Sequence, residues 1–277
     1  MTKLNRMVAA AVALAVTLVA STANAGAVLD RVLAAKTLKV AVGADWPPMS
    51  FLNDKHELDG FDVDVAKGIG ERLGVKVQFV TPGWDIITAG NWQGRWDLAM
   101  GQMTPTKKRA ETFSFPAVYI YASAVAAVHK DSKATKISDL DGKVVGVAAN
   151  TTTESYANHI LTPDWLDATP VKYQFNPGKV KTYESSNMAF DDLRLGDGAR
   201  LDAVLAGDSQ VRTAIRSGYP IKQLGGSLFS APAVLATVHG DKEFDGKLAT
   251  ALKSMREDGT LSKLSNKWYG ADRTIAE

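Results

Sequence analysis

The strongest constraint on the fold is an alternation of short β-branched runs with segments of helical period, and it is run through twice. In the first pass Leu38 to Val42 reads as a strand, Asp45-Trp46-Pro47-Pro48 as a turn, and Gly60-Phe61-Asp62 opens a helix. Phe61, Val65, Ile69 and Leu73 recur on one face of that helix, and Gly74 stops it. Val75 to Val80 is the next strand, Trp84 to Ala89 a short helix, and Trp96 to Met100 the third strand. The second pass sets strands at Val144 to Ala148, Val171 to Phe175 and Leu201 to Leu205, with helices at Thr153 to Leu161 and Ser186 to Leu195. Strand, helix, strand is the signature of a parallel α/β sheet. Two such units are expected in 277 residues, followed by helices at Phe244 to Asp258 and Leu261 to Tyr269.

Residues 1–25 read as a signal peptide and stand apart from this pattern. Lys3 and Arg6 precede an apolar run from Met7 to Val19, and Ala23-Asn24-Ala25 offers small residues for cleavage after Ala25. As a helix the run rises only about 20 Å, too short for a hydrocarbon core of about 30 Å. Removing Lys3 and Arg6 from the 32 basic residues balances them against the 30 acidic ones. No excess of positive charge marks a nucleic-acid binder. The chain has no cysteine, which excludes disulfides, thiolate metal sites and acylated anchors. Its four histidines, His56, His129, His159 and His239, lie far apart and make no zinc motif. A soluble periplasmic protein without metal or cofactor is expected.

Ligands of α/β sheets sit beyond the carboxyl ends of the strands. Four unusual segments fall there: Asp45 to Pro48, Thr81 to Asp85, Gln102 to Arg109, and Asn150 to Glu154. Each has a plain structural reading. Trp46 or Trp84 alone suits a core or rim, Arg109 beside Lys107 and Lys108 suits a solvated basic face, and Thr152 or Thr153 suits a helix N-cap. Their convergence on one edge favours a site. Gly68-Ile69-Gly70-Glu71-Arg72-Leu73-Gly74 mimics a dinucleotide fingerprint but lies inside a helix with one residue too many.

The segments LKVAVGADWPPMSF, LDGFDVDVAKGIGERLGVKVQFV, WDLAMGQMTPTKKR, GKVVGVAANTTTES and EDGTLSKLSNKWYG, in this order, resemble the periplasmic solute-binding proteins for amino acids that serve ABC importers. The resemblance implies a two-lobed type II periplasmic binding fold, with two parallel or mixed sheets flanked by helices and joined by two crossing strands. Lobe one would be residues 26–121 plus 230–277, lobe two residues 122–229, and the crossing strands Ala122 to Val128 and Ala231 to Val238. The lobes would close on the ligand. The implied partners are a small amino acid or derivative and an inner-membrane ABC permease, with the carrier a monomer.

A zwitterion needs one fixed cation and one fixed anion, since enclosing either charge unpaired costs several kcal/mol. By the resemblance, Arg109 in the pattern Thr104-x-Thr106-x-x-Arg109 is the carboxylate's fork. Thr104, with Thr152 across the cleft, would complete its hydrogen bonds. Trp46 and Trp84 would sandwich the side chain, and backbone groups near Gln102 would help hold the ammonium. The family's ammonium-binding aspartate falls at Gly207 here, one residue before Asp208. Either a loop insertion returns Asp208 to the site or the ammonium is held otherwise. Relatives that bind cationic side chains often carry an acid where this chain has Gly43, so a strongly cationic ligand is disfavoured, with Asp45 an open exception. Two alternatives stand beside the carrier. One is an enzyme resembling periplasmic cyclohexadienyl dehydratase, which needs a general acid from Asp208 or Glu154. The other is a sensory module, for which no membrane helix or signalling domain follows in the sequence.

Overall fold

The computed structural model of the protein describes residues 26–275 apart from residue 167, so the signal segment lies outside the described residues. Helix α1 (Ala27–Ala35) leads into β1 (Thr37–Ala41). Three short strands, β2 (Asp45–Trp46), β3 (Ser50–Leu52) and β4 (Leu58–Asp59), form a small antiparallel sheet. The chain continues through α2 (Phe61–Leu73), β5 (Lys76–Val80), α3 (Trp84–Thr88), β6 (Leu98–Met103), α4 (Lys107–Ala110) and β7 (Phe113–Ser114). Strand β8 (Val118–His129) carries it into a second lobe of β9 (Val144–Ala148), α5 (Thr152–Ala157), β10 (Lys179–Tyr183), α6 (Ser186–Leu193), β11 (Ala203–Gly207) and α7 (Asp208–Arg216). Strand β12 (Ile221–Val238) returns it to the first lobe, which ends in α8 (Lys242–Glu257) and α9 (Thr260–Tyr269).

The strand order is β10-β9-β11-β8-β12-β6-β1-β5, with β7 beside β12. Strands β5, β1 and β6 are parallel, as are β10, β9 and β11. Between these blocks β8 and β12 run antiparallel, paired from Ile221↔His129 to Val234↔Val118 with register shifts between Leu224 and Ser227, Ser227 and Phe229, and Ala233 and Val234. The two α/β units expected from the sequence are therefore stitched into one continuous ladder. A chain that crosses and returns must place antiparallel strands at the seam.

The first lobe is packed as its period demands. Phe61, Val65 and Ile69 of α2 are fully buried, and Gly74, at φ 68°, bonds back to Glu71 and Gly70. Helix α8 buries Phe244, Leu248, Leu252 and Met255 on the same core, each worth about 1.5–3 kcal/mol against exposure. Asp241 caps α8 at Phe244 N, 2.9 Å, and accepts from Val28 N and Leu29 N of α1 at 2.8 and 2.9 Å. The glycines of the dinucleotide mimic serve close packing. A Cβ on Gly68 would lie 2.5 Å from Met255 Cε, and one on Gly70 2.6 Å from Val77 Cγ2.

Two elements differ from the sequence reading. Residues 171–175 join no ladder, and the strand is β10 instead. Phe175 and Tyr173 are in the second lobe's core, while Gln174 N donates to the Tyr156 hydroxyl at 2.9 Å. Side chains, not a sheet, therefore satisfy this extended stretch. Helix α5 stops at Ala157, because His159 turns left-handed at φ 58°.

Candidate functional site

A cavity lies between the lobes at the carboxyl ends of β1, β6, β9, β10 and β11. Trp46, Trp84, Gln102, Thr104, Arg109 and Thr152, all marked in the sequence, line it together. Ala122, Ala124 and Ala231 of the crossing strands line it with Phe229.

The two indoles do not sandwich a slot. Trp46 and Trp84 meet edge to face at 5.7 Å with an 85° interplanar angle, so they touch each other and form a corner. Glycines make the corner possible. A Cβ on Gly43 would stand 2.0 Å from Trp46 Cδ2, and one on Gly101 2.9 Å from Trp46 Cζ3 and 3.0 Å from Trp84 Cζ3. The space beside Gly43, where an acid was considered, is filled by the chain's own indole.

Arg109 sits on α4, which Thr106 caps by accepting from Arg109 N at 3.3 Å. Its Nη1 donates to Thr104 O at 2.8 Å and its Nη2 to Asn150 O of the second lobe at 2.9 Å. The guanidinium lies 5.5 Å from the Trp84 ring centroid. Burial pushes its pKa down to about 10, which leaves it charged at neutral pH. Two of its five N–H donors are spent on these carbonyls, so donors remain for a bound anion. Arg109 is the cation among the described lining residues.

Across the cleft the cap of α5 is Thr151, whose hydroxyl accepts from Glu154 N at 3.2 Å and donates to Ala148 O at 2.6 Å. The N-cap role considered for Thr152 or Thr153 therefore belongs to Thr151. Glu154 is occupied in turn, accepting from Asn150 N at 2.6 Å.

Gln102 is held from behind. At φ 53° it is left-handed, and its N–H donates to the Tyr119 hydroxyl at 2.9 Å. Tyr119 donates to Asp62 Oδ1 at 3.0 Å, and Gln102 Nε2 donates to the Tyr269 hydroxyl at 2.7 Å. Asp62 is fully buried, and desolvation, opposed by the Tyr119 bond, pushes its pKa up to about 8. The Gln102 N–H is thus committed inward and not offered to the cavity.

Asp208 is the residue that the structure does not bring to the site. It opens α7, and Arg273 holds both its oxygens at 2.9 and 2.8 Å while Arg212 adds a contact of 2.6 Å. Burial alone would raise its pKa, but the Arg273 and Arg212 charges outweigh that and hold it below the usual carboxylate value. Gly207 and Gln210 stand on the cavity wall instead, with Gln210 Oε1 accepting from Gly207 N at 3.3 Å.

Sequence reasoning missed Glu184, which follows β10 and is the acidic residue among the described lining residues. Ser185 and Ser186 beside it also line the cavity. The next residue, Asn187, reaches Asp45 Oδ2 of the first lobe at 2.8 Å. This contact and the Arg109–Asn150 bond tie the lobes together around the cavity. Among the described residues no cluster of three His, Asp or Glu could hold a metal ion, and no helix is long and apolar enough to cross a membrane.

The sequence pattern of the bacterial extracellular solute-binding proteins, family 3, matches residues 38–271. The chain belongs to this family. It is 30% identical over 249 residues to the L-cystine-binding protein TcyJ of Escherichia coli (strain K12), covering 89% of this chain and 87% of that protein. It is 28% identical to the octopine-binding periplasmic protein of Rhizobium meliloti, covering 86% and 92%. Among solved structures, an ancestral arginine-binding protein bound to arginine superposes with a TM-score of 0.73 at 31% identity, covering 85% of this chain and 99% of the other. The ancestral amino-acid-binding protein AncCDT-1, a precursor of cyclohexadienyl dehydratase, gives 0.74 at 30% identity, covering 87% and 99%. Membership in the family accounts for two lobes joined by a crossing pair of strands with the cavity between them.

Proposed function

We propose that the protein is an extracytoplasmic carrier that encloses a small amino acid or amino-acid derivative between its lobes and hands it to an ABC permease. The observation that carries this reading is Arg109, a charged guanidinium in the cavity wall that also touches the opposite lobe. The remaining donors of its fork suit the ligand's carboxylate, and Thr104 of the first lobe and Thr152 of the second, both lining the cavity, offer hydroxyls beside it. Glu184 takes the ammonium in place of Asp208, whose charge Arg273 and Arg212 already neutralise. The Trp46–Trp84 corner and Phe229 supply apolar surface for the side chain.

The lobes divide as residues 26–121 plus 230–277 and residues 122–229. Secretion through the signal peptide delivers a monomer to the periplasm. A thermal-shift screen of all L-amino acids, L-cystine and octopine tests the reading, because a ligand at 100 times its Kd stabilises by about 2.7 kcal/mol. A screen without any shift would sink it.

The family is one of binding proteins, and the protein acts as a carrier and not as an enzyme. The kinship to AncCDT-1 keeps one check worthwhile. Elimination of water needs a general acid in the cavity, and Glu184 is the acid there. Turnover of prephenate or arogenate would show it.

A further inference from the structure

The tail that follows α9 reaches from the first lobe to the second. It is anchored on its own lobe: Arg273 N donates to Ser265 Oγ at 2.9 Å, Arg273 O accepts from Tyr121 N of β8 at 2.8 Å, and Arg256 holds Thr274 O. From this anchored backbone the Arg273 side chain extends to Asp208 at the start of α7, in the two-pronged geometry given above. Both side chains are largely shielded, at 18% and 11% exposure, which protects the pair from solvent screening. The guanidinium also stands 5.2 Å from the ring centroid of Tyr269. The Tyr269 hydroxyl is the acceptor that pins Gln102 Nε2 against the cavity. One cation therefore contacts the second lobe through Asp208 and also Tyr269, which holds Gln102 of the cavity wall from behind.

We propose that Arg273 is a positioning residue, a brace across the hinge that favours the closed arrangement of the lobes and fixes Gln102 in the cavity wall. Asp208, which does not line the cavity, is the brace's anchor in the second lobe. Arg212, one turn along α7, joins the same carboxylate from within its own lobe and so cannot replace the crossing contact. The pair acts where leverage is short, since Tyr121 and Ala124, near its two ends, lie in the same crossing strand. A small displacement there becomes a wide one at the mouth.

The test uses Arg273→Met, Asp208→Asn and the double variant, each checked for a cooperative thermal transition. Small-angle scattering of the unliganded protein reads lobe opening, and calorimetry reads the Kd of the amino acids found by the screen. The expected result is a larger radius of gyration than wild type and binding about tenfold weaker, in the usual range of coupling between sites. The double variant should be no worse than Arg273→Met alone, because that variant has already lost the contact across the lobes. Should Arg273→Met fail to fold, Asp208→Asn alone decides. Radii and affinities equal to wild type would overturn the proposal, and so would additive losses in the double variant. The affinity arm rests on the carrier reading, but the scattering arm does not. A wild type that binds no amino acid removes that reading and leaves the brace to be judged by the radius.

Discussion

Arg109 Nη2 of the first lobe and Asn150 O of the second stand 2.9 Å apart, and Trp84 Nε1 donates to the same carbonyl at 3.1 Å. The group best suited to hold a ligand carboxylate is thus also part of the contact that keeps the lobes together. Arg109→Ala should weaken binding by about 30-fold to several thousand-fold, since a carboxylate shut in without its cation costs about 2 to 5 kcal/mol. Calorimetry on the folded variant checks this, and an unchanged Kd would remove Arg109 from the carboxylate site.

Glu184→Gln keeps the shape and hydrogen-bonding capacity of the side chain and removes its charge. The variant should lose about 2 kcal/mol toward an amino acid and much less toward the matching 2-hydroxy acid. Asp208→Asn should instead weaken both ligands alike, because it acts on lobe geometry. Paired titrations of each variant separate the two carboxylates.

Gly43→Ala places a methyl where the Trp46 indole now lies, 2.0 Å from its nearest atom. The ring must leave its corner with Trp84, at a cost of about 1–3 kcal/mol in stability. Tryptophan emission should shift to the red as the indole gains solvent, and ligand affinity should fall with it. An unshifted spectrum would show that the corner does not depend on this glycine.

Asp62 gives a pH signature. Its carboxyl ionises near 3.8 in the unfolded chain but near 8 in the fold, so the folded state holds the proton more tightly. Its contribution to stability is fully present below 3.8 and is lost as pH rises to about 8, at no more than about 1.4 kcal/mol per pH unit. Asp62→Asn mimics the protonated form and should flatten that decline, gaining on wild type as pH rises. Urea midpoints measured across this range check it, and parallel curves would contradict it.

Local patterns carried most of the fold. Helix α2 was legible because Phe61, Val65 and Ile69 repeat at the helical period and Gly74 supplies its left-handed stop. Strand β10 was not, because Val171 to Phe175 has the same strand-like character as Lys179–Tyr183, and what separates them is a set of bonds to the side chains of Tyr156, His159 and Gln174 that local pattern does not reveal. That error hid Glu184, which is recognisable only as the residue following a strand. Arg109 and Thr152 were legible from a motif and from their place after strands. Asp208 misled because its partner, Arg273, lies 65 residues further along the chain.

The placement of β12 between β8 and β6 has a consequence for how the molecule is assembled. Strands β1, β5 and β6 precede the second lobe in the chain, yet their sheet is joined to β8 only through β12, and their core is closed by residues as late as Leu261. The second lobe's core ends at Leu228 and can close once the first part of β12 has emerged. A chain delivered N-terminus first would therefore finish its middle before its beginning. The first lobe, rich in distant contacts, should be the slower to form. A truncation ahead of α8 should leave it open, with the apolar face of α2 awaiting its cover.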